Sequence, residues 1–316
     1  MLAYIGRRLL SLIPVLLVVS VVAFGVVYLM PGGPATALLG VEATAEQIDA
    51  LNEELGLNRP FLVQYFDWLA GVFQGDWGTS YFLGQSVLEC IAEYFPPTLG
   101  LAVFAQLIAL VVALPLGIAA AYKRGTAFDL VAVTISLLGV ALPGFVLSMF
   151  LMLFFGVYLQ WLPVAGYKTL ASGLVEYLRY LFLPALSLGI VQAAYITRMT
   201  RSALLDVLDQ NYIATARAKG VGEFRVVMTY ALKNAAPVIL TAIGLSFGSL
   251  ITGAIVTETI FNIPGIGLMT MSAITRRDIF LIQGVVLFIT LLYVLVNLVV
   301  DVLYGIVDPR LHPGRK

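Results

Sequence analysis

Few side chains in this chain are of types that carry out chemistry, and their spacing excludes most of it. The 316 residues hold one histidine, His312, and one cysteine, Cys90. A lone cysteine rules out an internal disulfide and a cysteine-built metal site. A lone histidine in a polar C-terminal tail counts against zinc hydrolases and His-dependent triads. No Walker-type phosphate loop, H-E-x-x-H or G-x-S-x-G occurs, so neither nucleotide hydrolysis nor hydrolytic catalysis is written here in a recognisable form. What remains is hydroxyls and amides set in apolar sequence, chiefly Gln106, Gln192 and Asn297. An unpaired amide in lipid is costly, so these three are expected to face a helix bundle's interior, either bonding between helices or lining a solute path. The centres of the apolar runs lack Asp, Glu, Lys and Arg, which carriers driven by protons or ions place near the midplane. A transporter of this kind would take its energy from elsewhere.

One further stretch combines small and basic residues, from Tyr212 through Ile213, Ala214, Thr215, Ala216, Arg217, Ala218 and Lys219 to Gly220. It reads as a slim helix ended by Gly220, with apolar sequence resuming at Pro237. Such a helix can enter a cleft on another protein, or the segment can rest as a basic loop on anionic headgroups; composition leaves both open.

The elements that would position these residues are membrane spans. The chain is 60% hydrophobic with mean hydropathy +0.98. Only 11% of it is charged, against roughly 25% for a soluble domain. Apolar runs lie at about Leu9–Leu29, Leu99–Ala121, Leu130–Phe155, Leu181–Ile196, Val238–Val256 and Ile279–Leu303, each read as one transmembrane helix. The first shares a basic start with signal peptides but is longer than a signal core and lacks a clear cleavage site, so it is read as an uncleaved span. Between Pro31 and Tyr94 the sequence turns polar and acidic. Thr44 and Gln47 make a capping box for a short helix stopping at Gly56, and Pro60 opens an amphipathic piece with Phe61, Tyr65, Trp68, Leu69 and Phe73 on one face. These aromatics are expected to lie on the membrane interface or on the spans below. Net charge is zero, but thirteen of the 18 Lys and Arg fall on one side of the six spans. The positive-inside rule then puts both termini and the Arg198–Lys233 loop in the cytoplasm.

With these residues in view, the chain resembles the permease subunits of binding-protein-dependent ABC importers of the dipeptide and oligopeptide type. The resemblance covers nearly the whole chain, in ordered pieces: Arg7-Arg8, Leu29 to Pro34, Gly75 to Ser80, Arg198 to Ser202, Tyr212 to Gly220, Glu258 to Gly267, Arg277-Asp278 and Asp301 to Tyr304. It implies an all-α integral membrane protein with the type I importer permease fold. Residues 1–30 would be the N-terminal span, 31–94 an extracytoplasmic cap, 95–305 a five-helix core with a coupling loop over 198–236, and 306–316 a cytoplasmic tail. Aligned on Gly220, the family's E-A-A motif meets Ala214 in place of its Glu and Thr215 in place of its first Ala, and Ala216 is retained; Ala236 precedes Pro237 where the family usually has Leu. The resemblance assigns coupling to ATPases to Tyr212, Thr215, Ala216, Arg217, Ala218, Lys219, Gly220 and Pro237, and an outer gate to Glu258, Pro264, Gly265 and Gly267.

The partners implied are a second homologous permease, two ATP-binding subunits, an extracytoplasmic solute-binding protein and membrane lipid, with no nucleic acid. This chain would bind no cofactor; ATP and Mg would sit on the partner ATPases. The setting implied is a prokaryotic cytoplasmic membrane, and the cargo peptides, with glutathione, nickel chelates and oligosaccharides as alternatives. A stand-alone channel or secondary carrier and an intramembrane enzyme are the rival readings.

Overall fold

A computed structural model describes residues 2–25, 35–36, 39, 43–54 and 56–307. His312, the Leu29 to Pro34 piece and the basic residues from Arg310 onward lie outside them. Every regular element among the described residues is helical: α1 (Leu2–Gly25), α2 (Ala45–Glu54), α3 (Phe61–Gln74), α4 (Val87–Tyr122), α5 (Ala127–Ala141), α6 (Gly144–Leu151), α7 (Leu174–Leu208), α8 (Asn211–Ala218), α9 (Leu232–Phe261), α10 (Ile266–Arg276) and α11 (Ile279–Val307). A π-helical stretch, Met152–Tyr158, continues α6, and a helical turn, Glu223–Arg225, leads through a second, Val226–Ala231, into α9. Among the described residues, four helical stretches are long and apolar enough to cross a bilayer: Val87–Tyr122, Leu174–Leu208, Glu223–Phe261 and Ile279–Leu303.

The remaining central run departs from expectation. Leu130–Phe155 is not one straight helix but α5 and α6 with its π extension, meeting at 98°. Pro143 has no N–H to give the helix, and its ring pushes Leu142 out of the helical region, where φ is −76° and ψ 125°. The helices also outrun the hydrocarbon core. α7 has 35 residues, about 52 Å at the α-helical rise, so Arg198 and Arg201 ride on its end rather than in a loop. Pro237 likewise does not mark the start of a helix but lies inside α9. The Lys233 carbonyl that its missing N–H would have bonded belongs to an exposed residue, where water can serve it.

The chain divides into two compact units, one of Thr98–Ile263 with the chain from Leu295, the other of Leu2–Pro97 with Pro264–Val294. In the first, α7 packs against α5, α6 and α9. Gly117 and Gly189 let α4 and α7 touch closely: a Cβ on Gly189 would stand 2.9 Å from the Ala105 carbonyl, and one on Gly117 2.9 Å from that of Thr197. Small residues at such crossings replace the hydrophobic drive that lipid does not supply.

In the second unit, α2 opens on the expected capping box. The Thr44 N–H donates to Gln47 Oε1 at 3.0 Å and the Gln47 N–H to Thr44 Oγ1 at 3.3 Å. Three of the aromatics expected on one face of α3 lie on α1, with Phe24 ring centroids 5.3 Å from Phe61, 5.7 Å from Tyr65 and 5.4 Å from Trp68, while Phe73 is 84% exposed. The Tyr65 hydroxyl pairs with Ser20 Oγ at 2.7 Å, so a polar tip buried among aromatics keeps a partner.

Candidate functional site

The small, basic stretch singled out by sequence forms α8. It starts after Gln210, whose backbone is extended (φ −80°, ψ 148°). It ends where Gly220 turns left-handed at φ +79°, its N–H donating to the Arg217 carbonyl at 2.9 Å while the Val221 N–H reaches that of Ala216 at 3.2 Å. No heavy atom lies within 4 Å of where a Gly220 Cβ would be, so the glycine is needed for its backbone conformation and not for space.

The faces of α8 divide sharply. Ile213 is fully buried and Ala216 nearly so, one helical turn apart. Ile213 packs in a cluster with Ala121, Leu204, Leu208, Val226 and Val227, where the ends of α4 and α7 and the approach to α9 converge. Tyr212, Thr215, Arg217, Ala218 and Lys219 are exposed. Arg217 closes the helix onto the next one through a bidentate pair, Nε to Glu223 Oε2 at 2.9 Å and Nη2 to Oε1 at 2.5 Å. The bond to Glu223 raises the guanidinium pKa above its ordinary value. What is left is a docked helix whose outer face, Tyr212, Thr215 and Lys219, is small in its middle and bears one cation at its end.

Two further ion pairs flank α8. Arg124 Nη1 reaches Asp209 Oδ1 at 2.9 Å in the open. Arg201 forks onto Asp129, Nε to Oδ1 at 2.5 Å and Nη2 to Oδ2 at 2.8 Å, with Asp129 only 7% exposed. Sequence reading did not single out Asp129 or Asp209. The partners sit 72 and 85 positions apart, beyond the reach of local spacing.

The amides are placed between helices. Ser246 Oγ donates to Gln106 Oε1 at 3.1 Å, joining α9 to α4, and Gln192 Nε2 donates to Ser249 Oγ at 2.8 Å, joining α7 to α9. Asn297 is half-buried on α11. Glu258, two residues past the end of the fifth apolar run at Val256, is still on α9 and fully buried, accepting a bond from Thr98 Oγ1 at 2.6 Å. Pro264 is exposed, while Gly265 and Gly267 are buried at the start of α10.

In the second unit the Gly75–Ser80 and Arg277-Asp278 pieces come together. Asp278 is 2% exposed and accepts from Ser80 Oγ at 2.5 Å, the Phe82 N–H at 3.1 Å and, through its other oxygen, the Leu281 N–H at 3.3 Å. It caps α11 and clasps the 80–82 turn at once. Arg277, left-handed at φ 57°, closes α10 just before it, and the Arg276 guanidinium lies 3.5 Å from the Phe82 ring centroid. A second capping box, Ser86 with Glu89 (3.1 and 3.3 Å), starts α4 well before its apolar run; the sequence reading did not single it out, and the signal that would have found it is Ser-x-x-Glu. Among the described residues no group of three His, Cys, Asp or Glu side chains could hold a metal ion.

Comparison with known proteins agrees with this architecture. Residues 113–313 match the family described as binding-protein-dependent transport system inner membrane component, and residues 1–102 match its N-terminal membrane-component family. The chain is similar to a dipeptide transport system permease protein of Alkalihalophilus pseudofirmus, 40% identical over 331 aligned positions that cover 98% of this chain and 99% of the relative. It is equally similar to a glutathione transport system permease protein of Salmonella choleraesuis, 42% identical over 312 residues, covering 99% of each. Among solved structures, an inward-facing form of the MetNI methionine ABC transporter matches with TM-score 0.58 at 18% identity, over 69% of this chain and 96% of that one, a likeness of fold. Matches this complete along the sequence leave one conclusion: the chain belongs to the family of inner membrane components of binding-protein-dependent transport systems.

Proposed function

We propose that this chain is the membrane-spanning permease subunit of an ATP-driven importer that passes peptides across a prokaryotic cytoplasmic membrane. The observation that carries the reading is the two-faced α8, keyed by Ile213 into the ends of α4 and α7 and the approach to α9 and open outward at Tyr212, Thr215 and Lys219. Family membership supports it, as does the peptide nature of the cargo named for both relatives, a dipeptide and glutathione.

On this reading the six spans are α1, α4, the bent α5–α6 pair, α7, α9 and α11, with both termini cytoplasmic. α1 is the N-terminal span of residues 1–30, 31–94 an extracytoplasmic segment, 95–305 the core and 306–316 a tail. Two ATPase subunits bind ATP and Mg at the cytoplasmic face. One receives α8 in a surface cleft, the other docks on a second homologous permease, and a solute-binding protein delivers cargo outside. Closure of the ATPase pair displaces α8, and the helices anchored to it rock between inward-open and outward-open arrangements. Gln192, the more exposed of the two bonded amides, is assigned to the path ahead of Gln106. Pro264 is the exposed member of the proposed outer gate.

Gentle purification from the source membrane followed by mass spectrometry tests this. Recovery of ATP-binding subunits with a second permease, and ATP-dependent peptide uptake once the complex is in liposomes, is the expected result. A chain that purifies alone and moves solute without ATP would instead be a channel or secondary carrier.

A further inference from the structure

The Arg201–Asp129 pair has a geometry that a merely solvated ion pair does not need. Both guanidinium bonds are short and parallel, at 2.5 and 2.8 Å, and the Gly125 N–H adds a third donor to the same carboxylate at 3.0 Å. Asp129 is all but sealed from water and Arg201 is 25% exposed, so the charges are mutually dependent: removal of either leaves the other desolvated and unpaired. A bidentate fork fixes direction as well as distance, whereas apolar helix contacts resist compression but slide.

Its position in the fold gives that rigidity a use. Asp129 stands in the first turn of α5, and Arg201 stands on α7, which runs unbroken to Leu208 and reaches α8 through Asp209 and Gln210. Arg124, in the turn between α4 and α5, holds Asp209, the residue that follows the end of α7. Ala121, Ala203, Leu204, Leu208 and Ile213 fill the space between. Thus the start of α5 is fixed to α7 by the shielded fork, and the turn before α5 to the residue after α7 by a second pair that solvent reaches. Beyond α5 lies the 98° break into α6, which would convert a rotation of α5 into a displacement of α6.

We infer that Arg201 and Asp129 are positioning residues whose fork ties the start of α5 to α7, so that α5 and α8 move as one block when α8 is displaced. The inference rests on the importer reading and deepens it by naming the tie.

The test uses the complete importer, purified with its ATPases and binding protein, in which Thr134→Cys on α5 and Asn211→Cys, at the exposed start of α8 and outside its docking face, carry spin labels; Cys90, fully buried, is left in place. In the parent, the inter-label distance distribution is expected to be the same without nucleotide and after trapping with ATP and vanadate, and the binding protein stimulates ATP hydrolysis. Asp129→Asn and Arg201→Lys are each expected to shift and broaden the distribution on trapping and to cut the stimulation about tenfold, while unstimulated hydrolysis continues. The exchanged pair, Asp129→Arg with Arg201→Asp, is expected to recover both readouts at least in part. Parent-like distances and stimulation in Asp129→Asn would overturn the inference, as would single variants and exchanged pair failing alike, which is the mark of general misfolding. A parent complex without ATPase subunits, or one the binding protein does not stimulate, would overturn the importer reading and take the tie with it.

Discussion

The surroundings of Asp278 and those of α8 are both assembled from sequence-distant pieces, yet they use charge in opposite ways. Asp278 is buried and served by neutral donors, Ser80 Oγ and two backbone N–H groups, in a unit where Gly78 and Gly284 admit Phe280 and Val87 at close range. α8 is held by two buried aliphatic side chains, Ile213 and the small Ala216, and by ion pairs whose outer members, Arg124–Asp209 and Arg217–Glu223, stand about half in water. The first arrangement is hard to disturb without unfolding something. The second leaves a face free and fastens it with contacts that solvent screens. The difference separates a scaffold from a moving part.

Substitutions can break or sharpen that contrast. The largest effect is expected at Asp278. Asp278→Ala strands the buried Ser80 hydroxyl and Leu281 N–H and frees the part-buried Phe82 N–H, and is expected to cost about 3 kcal/mol, seen as a lower unfolding midpoint of the purified chain, with Asp278→Asn less damaging. Next is Gly284→Ala, whose new methyl meets Val87; overpacking of this kind costs about 2 kcal/mol, and Val87→Ala in the same chain should restore the midpoint. At Gly220 the order of effects reverses. In Gly220→Leu the new Cβ meets no neighbour and the change carries left-handed backbone strain of about 1 kcal/mol, so the protein should reach the membrane in normal amount while ATP-dependent uptake is abolished. Normal uptake by that variant would remove the contrast. The smallest effect belongs to Arg217→Ala, where an exposed pair is worth about 0.5 kcal/mol; its midpoint should be indistinguishable from the parent's.

The sequence was legible where a local rule decided the structure. The Thr44–Gln47 capping box, the Gly56 stop, the seating of Phe61, Tyr65 and Trp68 on one face of α3 and the closure of α8 at Gly220 each depend on residues within a few positions of one another. Helix length was not legible from hydropathy, because hydropathy locates the bilayer and not the helix. Arg198 and Arg201 therefore read as loop, though α7 carries them past the apolar run to Leu208. The same blindness concealed the bend at Leu142, since Leu130–Phe155 is apolar on both sides of it and Pro143 was the sole local sign. Glu258 falls two residues past the end of the fifth apolar run, and its partner Thr98 lies 160 positions away. Asp129 escaped notice for the same reason: nothing near it in sequence tells an acid at the head of an apolar helix from a solvated one. Long-range pairs such as these decide which polar residues are sealed and which are open, and so which can meet a partner.

The measurement closest to the central claim is cysteine-directed cross-linking from the outer face of α8. Thr215→Cys, with Cys90 buried and unreactive as background, is expected to form a cross-link to an ATP-binding subunit in membranes of the source cell, and to do so with a yield that changes when ATP is added. Ile213→Cys, facing the core, is expected to form none. A Thr215→Cys chain that is fully labelled by a small maleimide yet yields no protein adduct with or without ATP would contradict the account and return α8 to the status of a basic segment lying on lipid.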